Sequence, residues 1–286
     1  MTTMQPSAIR TITSKMFRRR TARVGGAIIL AVLVLILLGP FVTPYAPTAS
    51  SGAADLPPSY SHPFGTDFQG HDVLSQVIFG AYPSMIVGVL AAVGAVATGT
   101  TIGIMAGYYR RMEALLTGTA DVVLTFPPLP LMVLLASLYP ATTQLIIVVL
   151  ILVLWPVSAR SIRSQVLSLK ERPYVESGRI SGMGNLEILR RVIFPEIAPI
   201  ATAYFVLTVA AAIVLVTALQ FLGIGNPDVV SWGSILYWAQ QFAFYHGDWW
   251  WILAPGLMIT LVAMAFALLG FSVEEVMDPR LRASAF

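Results

Sequence analysis

Long apolar runs alternate with short polar ones along the whole chain. Six runs approach the ~20 residues that a helix needs to cross a hydrocarbon core of about 30 Å: 24–43, 82–108, 115–139, 142–159, 196–221 and 249–272. Helices satisfy their own backbone groups in lipid, so the pattern predicts an all-α integral membrane protein with about six transmembrane helices. The third run is the least regular. Thr125-Phe126-Pro127-Pro128-Leu129-Pro130 removes three backbone donors and predicts a kink or break that neighbouring helices must cover. In the second run Ala91, Ala95, Gly99, Gly103 and Gly107 recur every four residues, one stripe on a helix. Small residues at that spacing let two backbones approach closely, and predict a tight interface within this chain or with a partner subunit.

Composition narrows the class. Of 286 residues, 57% are hydrophobic, only 11% are charged and none is cysteine; mean hydropathy is +0.78. A soluble domain carries about a quarter charged residues. Disorder, a secreted disulfide scaffold and an ordinary cytosolic enzyme are excluded. The pI near 9.3 reports topology and not nucleic acid. All 17 Lys and Arg residues fall in residues 1–23, at Arg110 and Arg111, between 160 and 191, or at Arg280 and Arg282. The intervening segments 44–81, 140–141 and 222–248 hold none, but carry Asp55, Asp67, Asp72, Asp228 and Asp248. This is the positive-inside pattern, and it predicts both termini in the cytoplasm. A basic start before an apolar run also resembles a signal peptide, but 24–43 is long for one, and a retained anchor is favoured.

The expected organisation is a cytoplasmic tail, 1–23, with Ile9, Ile12, Met16 and Phe17 along the headgroups; an anchor, 24–43; an extracytoplasmic segment, 44–81; a core, 82–272; and a cytoplasmic tail, 273–286. No internal repeat supports an inverted-repeat transporter. Asp121 is the one ionisable residue well inside an apolar run; without a titratable companion it reads as an acid near the interface, bonded to a neighbouring helix or water. The two lysines, Lys15 and Lys170, do not belong to a phosphate-cradling loop. Any uphill transport therefore draws its energy from another polypeptide. Trp249, Trp250 and Trp251, with Trp232, Trp238 and Tyr245, fit an aromatic belt at the outer interface, and His246 near Asp248 an external surface.

The loop 160–195 carries the most information. A helix is expected from Pro173, with Glu176 against its N-terminal dipole and able to pair with Arg179. Gly182-Met183-Gly184 interrupts it. Asn185 can cap a second short helix through Ile193, with Glu187 in its first turn and Arg190 and Arg191 in its last. Pro195 would end that helix and open the next span. Two short helices on a glycine turn make a peg for another protein.

Glu176-Ser177-Gly178, Gly182 and Val192-Ile193-Phe194-Pro195 together resemble the EAA motif of ATP-binding-cassette importer permeases, E-A-A-x-x-x-G, nine residues, then I-x-L-P. Ser177 and Gly178 stand for the alanines, Val192 for isoleucine and Phe194 for leucine. His62-Pro63-Phe64-Gly65-Thr66-Asp67 with Gly70-His71-Asp72-Val73-Leu74-Ser75-Gln76, Phe221-Leu222-Gly223-Ile224-Gly225 with Ser231-Trp232-Gly233, and Asp278-Pro279-Arg280-Leu281-Arg282 are similar to motifs of the dipeptide, oligopeptide and nickel permease branch, C-type subunit. There, His71 and Gln76 replace arginines, so any salt bridge those arginines make is missing.

The resemblance implies a type I importer permease fold in a bacterial inner membrane. It implies a heterodimer with a homologous permease, cytosolic ATP-binding subunits and an extracytoplasmic binding protein delivering short peptides, nickel being the same-family alternative. The coupling loop would comprise Tyr174, Glu176, Ser177, Gly178, Arg179, Gly182 and Pro195, and the external motif Gly65, Thr66, Asp67 and Asp72. A membrane metalloenzyme using His62, Asp67, His71 and Asp72 is the reading from another class. No paired zinc motif supports it, and the resemblance makes Asp67 and Asp72 scaffold positions. No catalytic residue, metal or cofactor is expected.

Overall fold

The computed structural model describes residues 19–277. The expected tail contacts of Ile9 to Phe17 and the Asp278–Arg282 motif lie outside the described residues. In chain order the helices are α1 (Arg20–Val42), α2 (Val73–Tyr108), α3 (Arg110–Thr125), α4 (Pro128–Ala136), α5 (Thr143–Leu169), α6 (Pro173–Ile180) and α7 (Asn185–Ile188). A π-helical turn, Leu189–Ile193, leads into α8 (Phe194–Phe221), followed by α9 (Trp232–His246) and α10 (Trp249–Met277). Among the described residues there is no strand, only isolated bridges Ser50–His71 and Thr66–Asp72.

Five helical stretches are long and apolar enough to cross a membrane, and α3 with α4 makes a sixth if that pair, bent by 93°, is one span. The break falls at Phe126 and Pro127, where prolines remove successive donors. Neighbouring helices of this chain do not cover it, contrary to expectation: Phe126 is 54% exposed. The second span starts at Val73 rather than 82, because Asp72 caps it, accepting from the Ser75 amide at 2.8 Å and the Ser75 hydroxyl at 2.7 Å. The fourth runs to Leu169, ten residues past the expected 159. Ile162 and Val166 are wholly buried there, while Arg160 and Arg163 reach sideways to Asp121 and Glu113 on α3, each at 2.5 Å.

α2 and α5 form the most extensively packed pair of helices. Ala91, Ala95, Gly99, Gly103 and Gly107 are all buried, and the glycines of this stripe face α5. A Cβ on Gly99 would collide with the Ser158 hydroxyl and lie 2.5 Å from the Trp155 carbonyl. One on Gly103 would lie 2.7 Å from the Ala159 carbonyl, and one on Gly107 2.7 Å from Val166 Cβ. The interface is therefore within this chain. α8 packs against α2 and α10. α1 lies on α10, where Gly25 approaches the Ala265 carbonyl, Thr21 bonds Ser272 at 3.0 Å and Arg19 pairs with Glu275.

The expected aromatic belt is only partly one. Trp232 and Trp251 are core residues, 0% and 1% exposed. The indole N–H of Trp232 donates to the Val77 carbonyl at 2.9 Å, and its amide to Ser84 at 3.0 Å, so a polar tip that could seek the interface is satisfied inside. Trp249 and Trp238 remain exposed. The side chains of Tyr245 and His246 lie outside the described residues, and Asp248 is buried.

Gly99→Leu is expected to lower the thermal stability of the detergent-solubilised protein by about 1–3 kcal/mol through overpacking. Gly118→Ala, in helix α3 with no atom within 4 Å of the new Cβ, should lose nothing. Melting curves of the two variants compare them directly.

Candidate functional site

At the end of the bundle where α5 gives way to α8, α6 and α7 fold back on the long helices. Val175, Ile188, Ile193 and Ile197 are wholly buried against Ile162 and Val166 of α5. The opposite face is bare: Ile180 is 83% and Leu186 77% exposed, with Tyr174 half-exposed. Pro173 opens α6 and Glu176 occupies its first turn, favourable against the dipole. Ser177 bonds back to the Pro173 carbonyl at 2.9 Å. Partial desolvation, reinforced by the Glu196 carboxylate and opposed by Arg172, raises the pKa of the Tyr174 phenol above its ordinary value.

Gly182 lies at the turn with φ +84° and no atom within 4 Å of a would-be Cβ. Backbone handedness, and not lack of room, calls for glycine here. Gly178 differs: a Cβ there would lie 3.1 Å from the Met183 sulfur, a neighbour that can move.

Three expectations need correcting. Asn185 does not cap α7; Gly184 holds that position without a side-chain bond. The Asn185 side chain instead accepts from the Tyr108 hydroxyl at 2.9 Å. Arg179 does not pair with Glu176; its guanidinium lies 5.7 Å from the centroid of the Tyr108 ring, a cation–π contact. Pro195 does not end the second helix: the chain is one helical stretch from Asn185 to Phe221, 37 residues. The π turn just before Pro195 changes the hydrogen-bond register where the proline supplies no donor.

Tyr108, at the end of α2, thus touches both short helices, and the Lys170 ammonium caps its neighbour, the Gly107 carbonyl, at 2.9 Å. Sequence reasoning missed Tyr108. The available signal was an aromatic residue directly after the last glycine of the stripe, where α2 reaches the loop.

At the other end of the bundle the external motif stitches residues 51–72 to α2. Thr66 donates to the Ala53 carbonyl at 2.7 Å and accepts from the Leu56 amide at 2.9 Å. Gly65 has φ +67° and a Cβ there would strike the Leu56 carbonyl. Asp67 accepts from the Gln69 and His71 amides, at 2.8 and 2.9 Å. His71 Nδ1 and the Gln76 amide nitrogen each lie 2.8 Å from its other oxygen. His71 and Gln76 therefore converge on one carboxylate. His62 Nδ1 meets Asp72 at 3.0 Å, a pair separate from the first.

The family model described as the binding-protein-dependent transport system inner membrane component matches residues 99–283. The chain belongs to this family. A second model, the N-terminal TM domain of oligopeptide transport permease C, matches residues 7–60. A Brucella suis protein named as a peptide transport system permease is 36% identical over 94% of this chain and 90% of its own length. The dipeptide transport system permease protein DppC of Bacillus subtilis is 33% identical over 93% of this chain and 83% of its own. Among solved structures, a chain from the inward-facing MetNI methionine ABC transporter superposes with a TM-score of 0.57 at 16% identity, over 74% of this chain and 97% of that one. The fold of this permease is accordingly that of type I ABC importer permeases, as the motifs implied.

Gly182→Ala should destabilise the α6–α7 turn by about 1–2 kcal/mol because alanine resists positive φ. Gly178→Ala should be neutral or stabilise α6 by up to ~1 kcal/mol. Amide hydrogen exchange over residues 173–188 in otherwise folded protein measures both.

Proposed function

We propose that this permease is one of two non-identical membrane subunits of an ATP-driven importer of short peptides in a bacterial inner membrane. It pairs with a homologous permease, receives peptide from an extracytoplasmic binding protein and takes its driving force from cytosolic ATP-binding subunits. The observation that carries this reading is the near full-length likeness, 36% over 94% of the chain, to a peptide transport permease. The charge pattern supports the orientation: Arg110, Arg163, Lys170, Arg172 and Arg190 gather at the α6–α7 end, and the acidic motif segment lies at the other.

In this reading α6, the Gly182 turn and α7 are the coupling element. Their bare face, with Ile180 and Leu186, docks in the ATP-binding subunits, and their buried face is keyed to the spans. A displacement of α7 enters the span directly, because Asn185–Phe221 is one helical stretch. It also reaches α2 through Tyr108, and hence α5 across the glycine stripe. ATP-driven closure of the cytosolic subunits would thus move helices that line alternating outward and inward access.

Gly182→Asp is expected to leave membrane insertion intact and to abolish coupled uptake, either by releasing the ATP-binding subunits or by leaving hydrolysis uncoupled; Glu176→Ala should do so less severely. Tyr108→Phe keeps the ring under Arg179 and loses only the bond to Asn185, about 0.5–1.5 kcal/mol. It should raise the ATP hydrolysed per peptide imported without releasing the subunits. Uptake and ATPase activity of the whole complex in vesicles, with co-purification of the subunits, read all three. Wild-type coupling by the Gly182→Asp complex would refute the role of the loop.

A further inference from the structure

The coupling reading leaves the external motif around Asp67 and the Phe221-to-Gly233 motif without a task. More than 140 residues separate them in sequence, yet both line one cavity of about 530 Å³ at the end of the bundle opposite α6 and α7. That volume falls within the ~300–1,000 Å³ usual for small-molecule sites. We propose that this cavity is a receiving site on the permease itself for the main chain of a short peptide. The proposal rests on the peptide-importer reading above and assigns it a place.

The lining chemistry suits an amide. Gln76 is buried and donates one of its two amide hydrogens to Asp67 at 2.8 Å, and its carbonyl oxygen is an acceptor. Gln220 is held the other way round: its carbonyl oxygen accepts from the Ser231 hydroxyl at 2.9 Å, which leaves its NH₂ as a donor. The absence of side chains at Gly225 and Gly233 gives Gln220 its place, since a Cβ on either would press on it at 3.1 and 2.5 Å. One oriented acceptor and one oriented donor are what a peptide unit requires. Gln69 and Asn226 add two further carboxamides to the lining.

Charge selection is weak there. Among the described residues no Lys or Arg lines the cavity, and Asp67 already has four donors on its two oxygens. Much of the remaining wall is apolar, with Val229, Val230 and Ile235 beside an aromatic group. Phe68 stacks on Phe242 at 4.2 Å and lies 5.8 Å from both Trp238 and Trp251, a surface for an apolar side chain of any shape. Main-chain hydrogen bonding beside a tolerant apolar wall gives binding with little sequence preference, as a general peptide importer needs.

The test uses the full complex of both permeases, ATP-binding subunits and binding protein in vesicles. The probe is a tripeptide with a central benzoylphenylalanine, irradiated during turnover and mapped by mass spectrometry. The expected result is cross-linking to Phe68 or Trp238, suppressed by excess trialanine. Gln220→Met, which removes the donor together with the acceptor of the Ser231 hydroxyl, should weaken cross-linking and raise the half-saturating peptide concentration by about fivefold, one hydrogen bond's worth. Trp238→Leu, at a half-exposed position, should weaken cross-linking by removing part of the aromatic wall. Affinity of the complex for the binding protein should not change. Cross-links confined to other sites in a complex that imports peptide would overturn the cavity assignment alone. A loss of binding-protein affinity with unchanged peptide saturation would overturn it in favour of a docked protein segment. Failure of the wild-type complex to import or bind any peptide would instead overturn the peptide reading itself.

Discussion

Close approach of the α2 and α5 backbones is the constraint on which the remaining structure depends. Lipid tails are as apolar as leucine, so helices in a bilayer gain little from hiding apolar surface and hold together by close packing. Gly99, Gly103 and Gly107 let α2 rest on the carbonyls and side chains of α5 from Trp155 to Val166. With that contact made, α8 packs on α2 and the ends of α2 acquire defined positions.

Those ends are fastened by different chemistry. At Val73 the fastening is a buried carboxylate cap, Asp72, in a segment knotted by Thr66 and Asp67. At Tyr108 it is a hydroxyl and an aromatic face shared between two short helices. α2 is thus one continuous helix joining the two regions where protein partners are proposed to act. An interaction felt at one end has a direct mechanical route to the other, without passing through loops.

The number and rough position of the spans were legible because apolar length is a coarse signal that lipid enforces. The break after Thr125 was legible because proline has no amide hydrogen, and the Gly182 turn because it separates two amphipathic segments. Helix limits were less so. Val73 to Gly80 mix polar and apolar residues, and their helical state follows from the Asp72 cap. The extension to Leu169 depends on arginines finding acids on another helix, a pairing that sequence does not display. Helix rules operate locally and give Asn185 and Arg179 local partners; both instead turn to Tyr108, distant by some 70 residues. Residue type alone places Trp232 and Trp251 at an interface, and the tertiary structure encloses them.

The bend between α3 and α4 has a thermodynamic corollary. In a continuous helix the carbonyls of Leu124 and Phe126 would accept from residues 128 and 130, but both are prolines. Phe126 at this break is exposed, and a backbone acceptor left without a partner in hydrocarbon costs several kcal/mol. A neighbour that covers the bend relieves that cost only in the associated state. Were a partner to cover it, folding and association of this chain would form one equilibrium.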